Sequence, residues 1–154
     1  MADGYVNSRV VQFDKNGNFI RIIGGVKGSA PGQMQLVHGV VVDSQDRIIA
    51  SDSDNKRLSV FDKTGKFVMT WAAPCRGGIA ITSDDTIYVS DVNTGAVTIL
   101  KEGKMIDVVH VEGRTHGLSI DPTSFDIYTS SSIATSPNVS KPVRKTPKPA
   151  SASN

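Results

Sequence analysis

One unit recurs along this chain at a fixed step. The stretches "HGVVVDSQDRIIASD" from His38, "GGIAITSDDTIYVSD" from Gly77 and "HGLSIDPTSFDIYTSS" from His116 begin 39 residues apart each time. Aligned on their strand-ending pairs, Ser51-Asp52, Ser90-Asp91 and Thr129-Ser130, they keep the same step. A period near 40 marks a repeat architecture, in which each unit buries its apolar face only against its neighbours. Inside each unit the periodicity is two. "GVVVD" and "RIIASD" flank "SQD", "GIAIT" and "TIYVSD" flank "SDD", and "GLSID" and "DIYTSS" flank "PTSF". Each is a β-branched run, a polar turn and a second run, the signature of a hairpin.

A second hairpin follows the first two units, "RLSVFD-KTG-KFVMTW" and "AVTIL-KEG-KMIDVV", and a third copy, "RVVQFD-KNG-NFIRII", occupies residues 9 to 23. Every one of these turns ends in Gly, which a hairpin turn with positive φ requires. Four short antiparallel strands per repeat of about 40 residues describe a propeller blade. A three-fold β-sandwich and a solenoid are the alternatives. The expectation is therefore an all-β chain with no helix, folded as an incomplete β-propeller of about three blades. Two are complete, near 33 to 71 and 72 to 110. Residues 2 to 32 lack the inner strands of a blade and 111 to 130 lack the outer ones. Propellers close with typically 4 to 8 blades. One copy falls short of that, and two copies, paired as a homodimer, would supply about six.

The domain reading is a partial propeller over 1–130 and a tail over 131–154. That tail, which includes "SPNVSKPVRKTPKPASASN", is basic, rich in Pro and Ser and poor in large apolar residues, so it is expected to be disordered. A formal net charge of +2 marks the whole molecule for neither nucleic acid nor membrane. No apolar run approaches the ~18 residues of a membrane-spanning helix, and "MADGYVNSRV" has neither the basic nor the apolar region of a signal peptide, so no compartment is indicated. Cys75 is the sole cysteine, read as a small buried hydrophobe.

The stretch "HGVVVDSQDRIIASDSDNKRLSVFDKTGKF" resembles an NHL repeat. More specifically, the "DGYxNSR" box at Asp3 to Arg9, the "PGQ" of Pro31 to Gln33 and the histidine five residues after Gln33 resemble peptidyl-α-hydroxyglycine α-amidating lyases. The resemblance covers residues 2 to about 130. It implies a six-bladed propeller that cleaves the C–N bond of a peptidyl-α-hydroxyglycine to a peptide amide and glyoxylate. It further implies a zinc held by three histidines at the axis, a tyrosine base with arginines around it, and a structural calcium. Tyr5 falls on the tyrosine of the box and is the candidate catalytic residue. Its phenol needs a pKa lowered from about 10, which a nearby cation supplies.

His38 and His116 are the candidate metal ligands, and their spacing points the same way. They hold equivalent positions two blades apart, with Gly77 between, and in a six-bladed ring three such histidines on alternate blades would face one axial point. Three imidazoles with an open position describe a catalytic zinc. The third histidine is absent, and His110, at the end of an outer strand, does not replace it. Other departures weigh against catalysis. Ser53 stands where the family has an arginine after the Asp, and Gly117 where it has a calcium-holding aspartate. Val6 stands where animal members carry a disulfide cysteine, which suits a microbial rather than an animal-like member. Arg9 and Arg57 read as blade-edge residues. Three readings compete: a lyase-like propeller active once completed by other blades, a non-catalytic NHL propeller that binds a protein partner, and a fragment without a stable product. RNA binding needs a basic face with stacking aromatics, and aromatics are 6% of residues here.

Overall fold

The computed structural model describes residues 1–111 and 114–131, with the backbone of 139–140 in addition. Among the described residues fourteen strands form four antiparallel sheets, each a blade or part of one. Blade 1 holds β1 (Ala2–Asp3), β2 (Arg9–Phe13) and β3 (Phe19–Gly24). Blade 2 runs β4 (Val37–Val42), β5 (Ile48–Asp52), β6 (Arg57–Phe61) and β7 (Phe67–Ala72). Blade 3 runs β8 (Ile79–Ile81), β9 (Thr86–Asp91), β10 (Ala96–Lys101) and β11 (Lys104–His110). Blade 4 holds β12 (Thr115–Ile120), β13 (Ile127–Ser131) and β14 (Val139–Ser140). Strands pair in chain order throughout, and no α-helix occurs among the described residues; a single 3₁₀ turn covers Ser53–Asn55. The outer blades are the incomplete ones. Blade 1 keeps only a two-residue piece of an inner strand, and blade 4 has a two-residue piece beyond β13. The expected tail begins inside this last sheet: Ser131 closes β13 and Val139–Ser140 pair with Thr129 and Ser130. Residues 132–138 and 141–154 lie outside the described residues.

The chain buries its apolar side chains between blades. Val10 and Ile23 of blade 1 pack on Ile48, Ala50 and Phe61 of blade 2. Ile49, Leu58, Val60 and Trp71 of blade 2 pack on Ile87, Val89 and Leu100 of blade 3. Tyr88, Val97, Ile99 and Val109 of blade 3 pack on Ile127, Leu118 and Ile120 of blade 4. Each fully buried Val, Leu, Ile or Phe contributes about 1.5–3 kcal/mol, so these three seams hold the blades together. The strand alternation follows from this. Successive side chains point to opposite faces, and a blade with neighbours on both sides buries both, which is why β5, β9 and β10 are buried almost throughout.

The turns obey two rules. The turns that end in Gly place Gly17, Gly65 and Gly103 at φ +84°, +85° and +75°. The turns that follow the inner strand use Asp46, Asp85 and Phe125 at φ near +60° instead. Asp43 and Asp121 each accept backbone N–H bonds from within their own turns, holding them shut. The turn after β12 is one residue longer than its counterparts. β13 is therefore displaced, so that Gly117 faces Ser130 and Thr115 faces Ser131. The structural counterpart of Ser51-Asp52 and Ser90-Asp91 is thus Ser130-Ser131, a correction of the alignment on Thr129-Ser130. The extra residue in the turn shifted the second strand against an unshifted first.

Candidate functional site

Inner strands β4, β8 and β12 lie side by side, and the first residues of β4 and β12 carry His38 and His116. The two imidazoles stand edge to face with ring centroids 5.2 Å apart. Tyr5 joins from the loop after β1, its ring edge to face with His38 at 5.4 Å. Three side chains from three blades thus meet at one end of the inner strands. His110 is exposed on outer strand β11, away from this group.

Glycines make the convergence possible. Gly4 is buried against β4: a Cβ there would stand 1.9 Å from the Val37 carbonyl oxygen. Backbone thus meets backbone beside His38, and Tyr5 is carried over it. Gly77 and Gly78 do the same for His116. A Cβ at Gly77 would lie 2.4 Å from Ser90 Oγ and 3.1 Å from the His116 carbonyl oxygen. Without side chains there, Gly78 N–H donates to that carbonyl at 2.7 Å and draws β12 toward β4. Alternation of His and Gly along the repeat is thus a packing requirement as well as a placement of imidazoles.

Burial pushes the His38 imidazole below its ordinary pKa, and the neighbouring His116 and Arg76 push it the same way, against Asp54. The shift favours the neutral form, in which a ring nitrogen binds a metal or accepts a proton. Arg76 was not singled out by the sequence reading. It donates to Asp54 at 3.0 Å beside a cleft of about 370 Å³, whose lining includes Gln35, Ser53, Lys56 and Asp91. Its signal was register: it directly precedes Gly77, the counterpart of His38. Ser53, in the position of the missing arginine, donates its hydroxyl to the Cys75 carbonyl at 2.8 Å and ties the loop after β5 to the loop after β7.

Arg9 and Arg57 perform structural work. Arg57 Nε donates to Asp52 at 2.8 Å and its other nitrogens reach the Ser29 and Gln33 carbonyls, pinning the "PGQ" loop to blade 2. Arg9 Nε holds Asp3 in the same way at 2.8 Å, with Asn7 on the same carboxylate. Cys75 is buried, its thiol pushed up to about 12 by burial and by nearby Asp52 and Asp91. It is no nucleophile at neutral pH.

Comparison with known proteins agrees with this architecture. The NHL repeat family matches residues 35–61. The chain is 40% identical over 73 residues to peptidyl-glycine alpha-amidating monooxygenase B of Xenopus laevis, a match covering 44% of this chain and 8% of that protein. It is 34% identical over 71 residues to NHL repeat-containing protein 3 of Homo sapiens, covering 46% of this chain and 20% of that one. The chain thus spans a small part of the curated relatives it matches. Among solved structures, a streptogramin B lyase superposes with TM-score 0.62 at 13% identity, covering 80% of this chain and 41% of that one. A catalytically inactive virginiamycin B lyase from Staphylococcus aureus, with quinupristin, superposes with TM-score 0.63 at 10% identity, covering 88% and 48%. At these identities the likeness is one of fold. The chain therefore carries an NHL repeat within an incomplete β-propeller, and over just under half its length it resembles the peptide-amidating monooxygenases.

Proposed function

We propose that this chain supplies part of a lyase-type propeller acting on peptidyl-α-hydroxyglycine. The observation that carries the reading is the meeting of Tyr5, His38 and His116 at one end of the inner strands. In the proposed reaction the substrate's C–N bond breaks and its hydroxyl proton is lost. The carbinol carbon becomes the aldehyde of glyoxylate, and the nitrogen leaves as a peptide amide after gaining a proton. Tyr5, largely exposed beside His38, would act as the phenolate, ionised with the help of a bound cation, accepting the hydroxyl proton at its phenolic oxygen and returning it to the departing nitrogen. Its exposed ring leaves that oxygen open to a substrate approaching from solvent.

The two imidazoles are donors of the kind that hold zinc, and they would supply two of its ligands. Among the described residues no His, Cys, Asp or Glu joins them to make a set of three. A third ligand would come from a further blade or another copy. Zinc, when bound, supplies Lewis acidity toward a substrate oxygen. Calcium does not fit at the position where the resemblance places it, because Gly117 carries no carboxylate to hold it.

The test is zinc content and glyoxylate release from an α-hydroxyglycine peptide, measured on the purified chain with added Zn²⁺. Weak zinc binding, lost in His38→Ala and in His116→Ala, is expected, with slow glyoxylate release lost in Tyr5→Phe. Absence of both zinc and glyoxylate overturns the reading. A second reading, a non-catalytic NHL propeller for a protein partner, is favoured by Ser53 and Gly117, where the lyase-type arginine and aspartate are replaced. On that reading zinc and glyoxylate are both absent while the fold persists.

A further inference from the structure

In blades 1 to 3 the second strand ends in an aspartate, and two of the three have the same neighbour. Asp3 in blade 1 and Asp52 in blade 2 each take an arginine Nε at 2.8 Å, from Arg9 and Arg57, the first residues of the following strands. Asp52 is enclosed by more donors still: Gln35 N–H at 2.8 Å, Asn55 Nδ2 at 2.8 Å and the Ser59 hydroxyl. Blade 3 repeats the carboxylate as Asp91 and lacks two of these donors, the arginine and the backbone N–H of the preceding connection. Ala96 pairs with Asp91 as Arg57 pairs with Asp52, so the guanidinium is missing. Pro74, 39 residues after Gln35, has no N–H to give. Asp91 is 4% exposed and takes hydrogen bonds from Asn93 N–H at 3.4 Å and the Thr94 hydroxyl at 3.1 Å. Among the described residues no Lys or Arg nitrogen stands within ion-pair distance of it; Arg76 is engaged with Asp54.

A buried carboxylate without a cation is costly to keep ionised. Here it borders open space. Residues 25–36 form a long connection between blades 1 and 2, and Arg57 anchors it by the Ser29 and Gln33 carbonyls. The connection from blade 2 to blade 3, residues 73–78, is half that length, and its Pro74, Cys75 and Arg76 border the cleft of about 370 Å³ that Asp91 lines.

We infer that this cleft is a guanidinium-binding subsite, with the Asp91 carboxylate accepting from an arginine side chain where Ala96 leaves the position of Arg9 and Arg57 vacant. Carboxylate and guanidinium match as a two-pronged pair, and the Asn93 and Thr94 side chains at the rim offer further polar contacts. Lys56 and Arg76 also line the cleft, and Asp54 offsets Arg76, so the subsite favours a single cation seated at Asp91 over a polybasic segment. The inference stands on the repeat and the cleft, and it is independent of the lyase reading.

The experiment titrates the full chain with N-acetyl-arginine amide and follows the backbone amide resonances of Thr94 and Ala96 by NMR. Saturable shifts are expected. They should be absent with the citrulline analogue, which keeps the shape and loses the charge, and reduced with the lysine analogue, which lacks the planar fork. Asp91→Asn should weaken the arginine probe on the order of tenfold or more, the loss of one charge-assisted contact. Ala96→Arg should fill the position from within, abolish probe binding and raise the Tm. Because Asp91→Asn changes no volume, it reports even where Ala96→Arg fails to fold. Arg144→Gln should bind the probe as the parent does, since the subsite disfavours the chain's own polybasic segment, and tighter binding in that variant would overturn that selectivity. Equal binding of arginine and citrulline probes, or an Asp91→Asn variant that binds as the parent does, overturns the inference.

Discussion

His38 shows most directly how position becomes chemistry. Its imidazole is partly withdrawn from water and faces His116 and Arg76, so its pKa lies below the ordinary 6.5. The sign follows from linkage: between its folded pKa and 6.5 the unfolded chain binds more protons than the folded one, so stability rises with pH over that window. The contribution is complete above pH 6.5 and is lost as pH falls below it. Urea midpoints measured from pH 5 to 8 should show this slope, and His38→Gln should flatten it. A parent midpoint independent of pH over that window would refute the burial account. Gly4 makes the complementary case. Gly4→Ala sets a methyl group against the Val37 carbonyl, and since both sides of the clash are backbone, the loop carrying Tyr5 must move. A loss of about 2 kcal/mol or more in urea, together with disappearance of the Tyr5 ring-current shift on His38 Cε1–H, is the expected result. Both side chains were visible in the sequence as candidates. What brings them together was not, because a glycine's closeness to another backbone has no signature in composition or period.

At the scale of the element, the hairpins and blades were legible and their registers were not. Alternation of β-branched residues with Gly-terminated turns located every strand of blades 2 and 3, since each strand is short, periodic and bounded by turn residues. The displaced second strand of blade 4 escaped, because the residue added in "DPTSFD" reads as ordinary turn composition until strand partners are known. The two kinds of glycine in these elements separate by mutation. Gly17 sits at φ +84° with nothing near its would-be Cβ, so Gly17→Ala carries only the left-handed backbone cost of about 1–2 kcal/mol. Gly77 lies against Ser90 and the His116 backbone; Gly77→Ala should cost more and also displace His116. Urea denaturation should rank Gly77→Ala below Gly17→Ala in stability, and only the former should perturb the histidine NMR signals. Equal effects on stability and signals would show that Gly77 does not position His116.

Across the whole molecule, the same repeat reveals a face left uncovered. Phe61 and Phe67 of blade 2 make an edge-to-face pair, 6.0 Å between centroids, that packs into the seam against Val10 and Ile23 of blade 1. Phe13 and Phe19 make the same pair in blade 1 at 6.4 Å, 48 residues earlier in each case, yet they are 44% and 60% exposed. A propeller seam joins the next-facing side of one blade to the previous-facing side of another, and Phe13 and Phe19 mark the previous-facing side of blade 1 with no blade against it. At the other end Tyr128 of blade 4, the counterpart of Tyr88 in blade 3, is 37% exposed where Tyr88 is 1% exposed. The two faces correspond to the two sides of an internal seam, and each is apolar enough to gain from contact. The chain in isolation should therefore self-associate as concentration rises, with the Phe13 and Phe19 face of one copy on the Tyr128 face of another. Sedimentation equilibrium should give a mass above that of one copy for the parent, and a monomer for the Phe13→Glu, Phe19→Glu double variant with its circular dichroism unchanged. Phe61→Glu, by contrast, should unfold the chain, because its ring is already inside a seam. Zinc affinity adds a second reading of the same equilibrium. If another copy brings further histidines toward the axis, zinc binding must tighten with protein concentration in the parent and lose that dependence in the double variant. A parent that stays monomeric at every concentration would mean that the exposed phenylalanines are not half of a seam between copies.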